Sequence, residues 1–116
     1  MNTALARKTL DRRFKDGSHL LETPRPQRGW IRAIRAALGM TSVQLARRLG
    51  VTPPRIHALE KGEVAGTLTL SSLEKAAAAL DCSLVYVLVP HSSLTEMVDT
   101  RARQKANELI LSLIHI

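Results

Sequence analysis

The order of small, turn-forming and capping residues in residues 41–62, TSVQLARRLGVTPPRIHALEKG, leaves that stretch little conformational choice. Thr41 and Gln44 stand in the T-x-x-Q arrangement, in which each side chain satisfies a free amide at a helix start. Val43, Leu45, Ala46 and Leu49 then give apolar contacts, with Ala46 small where two steeply crossing helices come closest. Gly50 predicts a turn with positive φ, and Val51 a plug of the core between the helices. Thr52 is the next N-cap. Pro53 takes the first helical position, where its missing N–H costs nothing, and Pro54 is tolerated in the same turn. Ile56 and Leu59 point inward; Arg55, His57, Ala58 and Lys61 point outward; Gly62 is predicted to end the helix. Together these positions describe a helix-turn-helix.

The flanking sequence supplies elements to hold that pair. Residues 1–16 place Leu5, Leu10 and Phe14 near one helical face among basic side chains, predicting a helix from Thr3 to Lys15 that ends at Gly17 and Ser18. Pro24 and Pro26 make Glu22 to Gln27 an extended connector. Three fates are open to this basic arm: lying along phosphates, packing on a partner chain, or hanging as a loosely docked tail. Trp30, Ile31, Ile34 and Leu38 follow helical spacing, with Gly39 just past the helix and Trp30 expected as a core anchor. A further helix is predicted over Leu70 to Leu80, capped by Thr69 or by a Ser71–Glu74 box, with Leu70, Leu73, Ala76, Ala77 and Leu80 as its buried stripe.

The period then changes. Cys82 to Val89, CSLVYVLV, is β-branched and aromatic and reads as a strand, to be paired with a second chain or with the N-terminal connector. Ser93 to Ile110 reads as a last helix. The expected fold is mainly α: a lambda-repressor-like helix-turn-helix bundle with one short C-terminal β-strand and a following helix. Its expected divisions are 1–27, a basic helix and Pro-rich connector; 28–81, the helix-turn-helix domain; and 82–110, a dimerisation or partner region. Residues 111–116, LSLIHI, match one reading frame of a transposase end sequence used to prepare sequencing libraries. They are read as an artefact, with a longer natural chain expected.

Charge and composition narrow the function. Of 116 residues, 45% are hydrophobic but only 3% aromatic, so the core must be aliphatic. The net charge of +7 is unevenly placed. Residues 1–55 carry twelve Lys/Arg against three acids, and the remainder five against seven. A basic half suits a polyanion, although a solvated basic surface explains the count as well. The single Cys82 excludes an internal disulfide framework and a cysteine-based zinc site. His19, His57, His91 and His115 show no ligand spacing and the acids are scattered, so no enzyme, metal or cofactor is expected. With no apolar run near the roughly 18 residues of a membrane span and no signal-peptide core, a cytoplasmic chain is expected.

The pattern Q-L-A-x-x-L-G-V-T…I-x-x-L-E-K-G resembles the Cro/phage-repressor (XRE) type of helix-turn-helix regulator, over roughly residues 28–80. RPQRGWIRAIRAALGMT, the run LEKGEVAGTLTLSSLEKAAAALDCSLVYVLVP and the upstream LARKTLDRRF further resemble the family called mobile mystery protein A. That resemblance extends through residue 110 and implies a regulator or antitoxin encoded beside a Fic-domain protein. It implies a homodimeric repressor on an operator in double-stranded DNA. Carried over by position, base reading falls on Thr52, Pro53, Pro54, Arg55 and Ala58. Prolines stand where the repressor type commonly has glutamines. Neither can donate a hydrogen bond, though either can pack on a thymine methyl. Direct reading therefore rests on Arg55, with Thr52 and His57 in support, while DNA shape and the arm add specificity. Phosphate contacts are expected from Thr41, Ser42, Gln44 and Lys61 and from the amides opening the Thr41 helix. Fic inhibitors often carry an S/T-x-x-x-E-G/N helix; Ser92 and Glu96 have that spacing, but Met97 stands where Gly or Asn belongs, and an ordinary helix cap at Ser92 or Ser93 is the simpler reading. The competing class is a protein-interaction module that neutralises a partner without reading DNA.

Overall fold

The computed structural model describes residues 2–114. Six α-helices occur among them: α1 (Thr3–Gly17), α2 (Trp30–Ala37), α3 (Ser42–Leu49), α4 (Pro53–Ala65), α5 (Leu70–Ala79) and α6 (Leu94–Ile114), with a 3-10 turn at Ser18–Glu22. The chain divides into two compact units. One is Pro24–Tyr86; the other joins the residues up to Thr23 to those from Val87 onward.

In the unit Pro24–Tyr86, α3 packs on α4 and α5, and α2 packs on α4. The buried core is aliphatic, as the composition requires: Ile31, Met40, Leu45, Ala46, Ile56, Leu59, Ala76 and Leu80. Leu45 and Ile56 are fully buried, one from each helix of the central pair. Each helix here stops in the same way. After α3, Gly50 adopts the left-handed conformation at φ 70°, and the amides of Gly50 and Val51 reach back to the carbonyls of Arg47 and Ala46. This double closure satisfies carbonyls that the helix itself cannot pair. It recurs at the ends of α2, α4 and α5, but α5 achieves it with Asp81, a non-glycine residue at φ 57°.

The start of α2 is built differently. Its N-cap position is Gly29, which offers no side chain, and the carboxylate of Glu63 on α4 takes that role. Oε2 of Glu63 accepts from the Trp30 amide at 2.7 Å, and Oε1 from the Ile31 amide at 2.9 Å. Gly29 must be glycine on two counts. Its φ is +89°, and a Cβ there would lie 2.8 Å from the Glu63 carboxyl carbon. Arg25 closes the same corner by donating from Nη1 to the Glu63 carbonyl at 2.8 Å and from Nη2 to the Val64 carbonyl at 3.2 Å. Nearby, Arg35 on α2 donates from Nε to Glu60 Oε1 on α4 at 2.7 Å and from Nη1 to the Met40 carbonyl at 3.0 Å. Two buried glutamates of α4 thus fix α2.

Several expectations need correction. No strand occurs among the described residues: Cys82 to Val89 has neither ladder nor helix. A strand needs a partner for its amides and carbonyls, and the Pro24–Pro26 connector does not supply one. Val85, Tyr86 and Leu88 are exposed there. Gly62 does not end α4; the helix runs on to Ala65 and stops at Gly66. Gly62 is instead buried, with Leu68 so close that a Cβ would sit 2.7 Å from its Cδ2. Val51 is 37% exposed and does not plug the core. Trp30 is 46% exposed and lines a half-open apolar cleft with Ile34, Leu68, Leu73 and Leu84 rather than anchoring the centre. The cap of α5 is Thr69, whose hydroxyl accepts from the Ser72 amide at 3.1 Å.

In the other unit, α1 packs on α6, so the N-terminal helix is not a loose tail. Asn2 caps α1 by accepting from the Leu5 amide at 3.0 Å. The start of α6 is capped twice. Ser93 accepts from the Glu96 amide at 3.1 Å, the ordinary helix cap. Asp11 of α1 accepts from the Leu94 amide at 2.7 Å, and from the Thr95 amide and hydroxyl at 3.4 and 3.1 Å. The Leu94 amide holds the Asp11 carboxyl below the ordinary aspartate range; desolvation, the next effect, opposes it, and the Thr95 hydroxyl and amide and the charge of Arg7 assist. Helix α6 continues through residues 111–114, the first part of the LSLIHI stretch; His115 and Ile116 lie outside the described residues.

Two outcomes follow from the caps. Glu63→Ala leaves two helix-start amides without acceptors and should lower unfolding free energy by about 2–3 kcal/mol in urea titration. An unchanged midpoint would mean that water replaces the carboxylate at no cost. For Asp11 the lowered pKa gives stability that is present above the unfolded value, about 3.9, and lost as pH falls through the folded one. The melting temperature of Asp11→Asn should therefore fall less than that of the parent between pH 6 and pH 3. Equal losses would remove Asp11 from the acid response.

Candidate nucleic-acid interface

The starts of α3 and α4 hold the residues expected to meet DNA. At α3 the capping box is complete: Thr41 Oγ1 accepts from the Gln44 amide at 3.1 Å, and Gln44 Oε1 accepts from the Thr41 amide at 2.9 Å. Both oxygens are committed, yet the Thr41 hydroxyl proton and the Gln44 side-chain amide group remain available to donate. The box leaves the amides of Ser42 and Val43 as the free donors of the first turn, with Ser42 half-buried beside them. Donors at the positive end of a helix suit a phosphate.

The start of α4 is sparser. Thr52 holds the N-cap backbone conformation at φ −84° and ψ 153°, but its hydroxyl makes no cap bond to the helix. Pro53 and Pro54 occupy the first two helical positions and carry no N–H. The first amide after them, that of Arg55, is used locally on the Thr52 carbonyl at 2.9 Å. An anion therefore finds few backbone donors at this helix start, and any contact there falls to side chains. Thr52, Pro54, Arg55, His57, Ala58 and Lys61 are all exposed, whereas Pro53 is half-buried. The Arg55 side chain makes no ion pair or hydrogen bond to any described residue, so its guanidinium keeps its full donor set.

Behind this edge the helix is committed to the fold. Ile56 and Leu59 enter the core, and Glu60, Gly62 and Glu63 are buried against α2 and Leu68. The exposed residues of α4 thus lie mostly in its first half and the buried ones mostly in its second. Glu63 was missed by sequence reasoning because its partners lie over thirty positions away, with only the positive-φ glycine at position 29 to hint at a guest carboxylate.

Residues 31–87, from α2 through the segment after α5, match the family model described as helix-turn-helix. Over those residues the match supports a DNA-binding helix-turn-helix domain of the XRE type. No curated protein and no solved structure matches the chain. Among the described residues no helix is long and apolar enough to cross a membrane, and no group of His, Cys, Asp or Glu is placed to hold a metal ion.

Proposed function

We propose that the protein is a sequence-specific transcriptional repressor that binds its own operator through the N-terminal half of α4. The observation that carries this reading is the uncommitted, outward Arg55 directly after two prolines on the second helix of the pair. Arg55 reads base edges in the major groove; its planar fork suits guanine O6 and N7. Thr52 and His57 support it, and Pro53, Pro54 and Ala58 give apolar contact to thymine methyls. Thr41, Ser42 and Gln44 at the start of α3, with Lys61, hold the phosphates that fix the register. A two-fold operator calls for a homodimer, with two half-sites roughly one helical turn apart.

Arg55→Ala should cost about 1–3 kcal/mol on the promoter fragment upstream of the gene and relax the preference over scrambled DNA. Equal weakening on every sequence would make Arg55 a phosphate contact. No preference in the parent chain would favour the interaction-module reading.

The finer role rests on the resemblance to mobile mystery protein A: the repressor also neutralises a Fic-domain protein encoded beside it. Ser92 and Glu96 lie where α6 begins, and the Ser93 cap on the Glu96 amide supports an ordinary helix start rather than an inhibitory motif. Neutralisation is therefore assigned to the surface of the whole chain and not to those two residues. Co-expression with a Fic-domain neighbour should yield a co-purifying complex. A Fic protein that stays toxic and separate would remove this role and leave the repressor standing.

A further inference from the structure

Among the nine Lys and Arg of Pro24–Tyr86, two sets of three differ in what they bind. Arg25, Arg35 and Arg48 are tied down: Arg25 to carbonyls of α4, Arg35 to Glu60, and Arg48 to the Ala79 carbonyl and Asp81. The side chains of Arg28, Arg32 and Lys61 have no ion pair or hydrogen bond to any described residue. These three nonetheless line one cleft of about 380 Å³, together with His57 and Glu60. Glu60 gives Oε1 to Arg35 at 2.7 Å, so the one acid lining the cleft is already paired with a cation outside that lining. The cleft therefore carries an excess of positive charge on exposed side chains, which suits an anion.

The position of the cleft says which anion. His57 and Lys61 are four residues apart on α4, on a row that also takes in Pro53. This row runs beside the arc of Pro54, Arg55 and Ala58. Across the cleft stand Arg28, just ahead of α2, and Arg32 on that helix. A helix seated in the major groove has the sugar-phosphate backbone along its flank.

We infer that the Arg28–Arg32–His57–Lys61 cleft seats a phosphate of the DNA backbone bordering the groove that α4 enters. The inference rests on the DNA-reading function and adds Arg28 and Arg32 to it. It also makes His57 a flank residue rather than a base reader. Both arginines are exposed and unpaired, so their removal leaves the core intact.

The test is the salt dependence of binding to a 30-base-pair duplex of arbitrary sequence, followed by fluorescence anisotropy. Each phosphate neutralised contributes about 0.9 to the slope of log K against log salt. Arg28→Ala with Arg32→Ala should reduce that slope by about 0.9, with the melting temperature unchanged. The Arg28→Lys, Arg32→Lys pair, which keeps the charge, should keep the slope. Arg101→Ala with Arg103→Ala, an equal charge loss on α6, should leave it as in the parent. An unchanged slope in the first pair, an equal fall in the α6 pair, or a fall in the lysine pair would each overturn the inference. A parent chain that binds no duplex would remove the DNA-reading function itself, a result distinct from binding with an unaltered slope.

Discussion

The Glu63 carboxylate is the constraint on which the DNA-binding unit depends. Helix α2 begins after a glycine and has no side chain of its own to satisfy its first amides. A carboxylate arriving from α4 supplies both oxygens to Trp30 and Ile31, and it can do so only because Gly29 has no Cβ. Polar groups buried in this way are costly unless fully paired, so the geometry tolerates little variation. With Arg35 and Glu60 a turn away, the contact sets where α2 lies on α4. The cleft that places Arg28 and Arg32 opposite His57 and Lys61 exists because that placement is fixed.

The central helix pair was legible in the sequence because its determinants are local. A Thr–Gln box, a glycine in the left-handed region and a Thr-Pro start each act within four residues, and each stands where the sequence places it, although the Thr52 hydroxyl makes no cap bond. Helix α4 was misjudged at Gly62 because two glycines were available as terminators, four residues apart. Leu68 decides between them by packing onto the first, which leaves Gly66 to turn the chain. Non-local contacts were not legible. Nothing near Asp11 announces that it caps a helix more than eighty residues later, and the basic N-terminal stretch read equally well as an arm, a tail or a packed helix. Cys82 to Val89 shows the converse error: β propensity was correctly read, but propensity does not supply a partner.

For the interface, the sequence identified the outward residues of α4 and the capped start of α3, and these lie where helical spacing puts them. It could not identify which cations are free. Arg28, Arg32 and Arg35 look alike in sequence, yet only Arg35 is consumed by a buried carboxylate. Commitment of charge is a tertiary property, and it is what separates a structural arginine from one that can meet DNA.

The two prolines that open α4 carry a consequence for how such a regulator could change its target. Residues 59–63 of this helix are bound into the core and to α2, while residues 52–58 contribute only Ile56 to the core. Because Pro53 and Pro54 set the backbone of the first turn by themselves, that turn needs no help from the exposed side chains that follow them. The scaffold is thus insulated from its own vocabulary: new residues at 55 and 58 can be tried without renegotiating the fold.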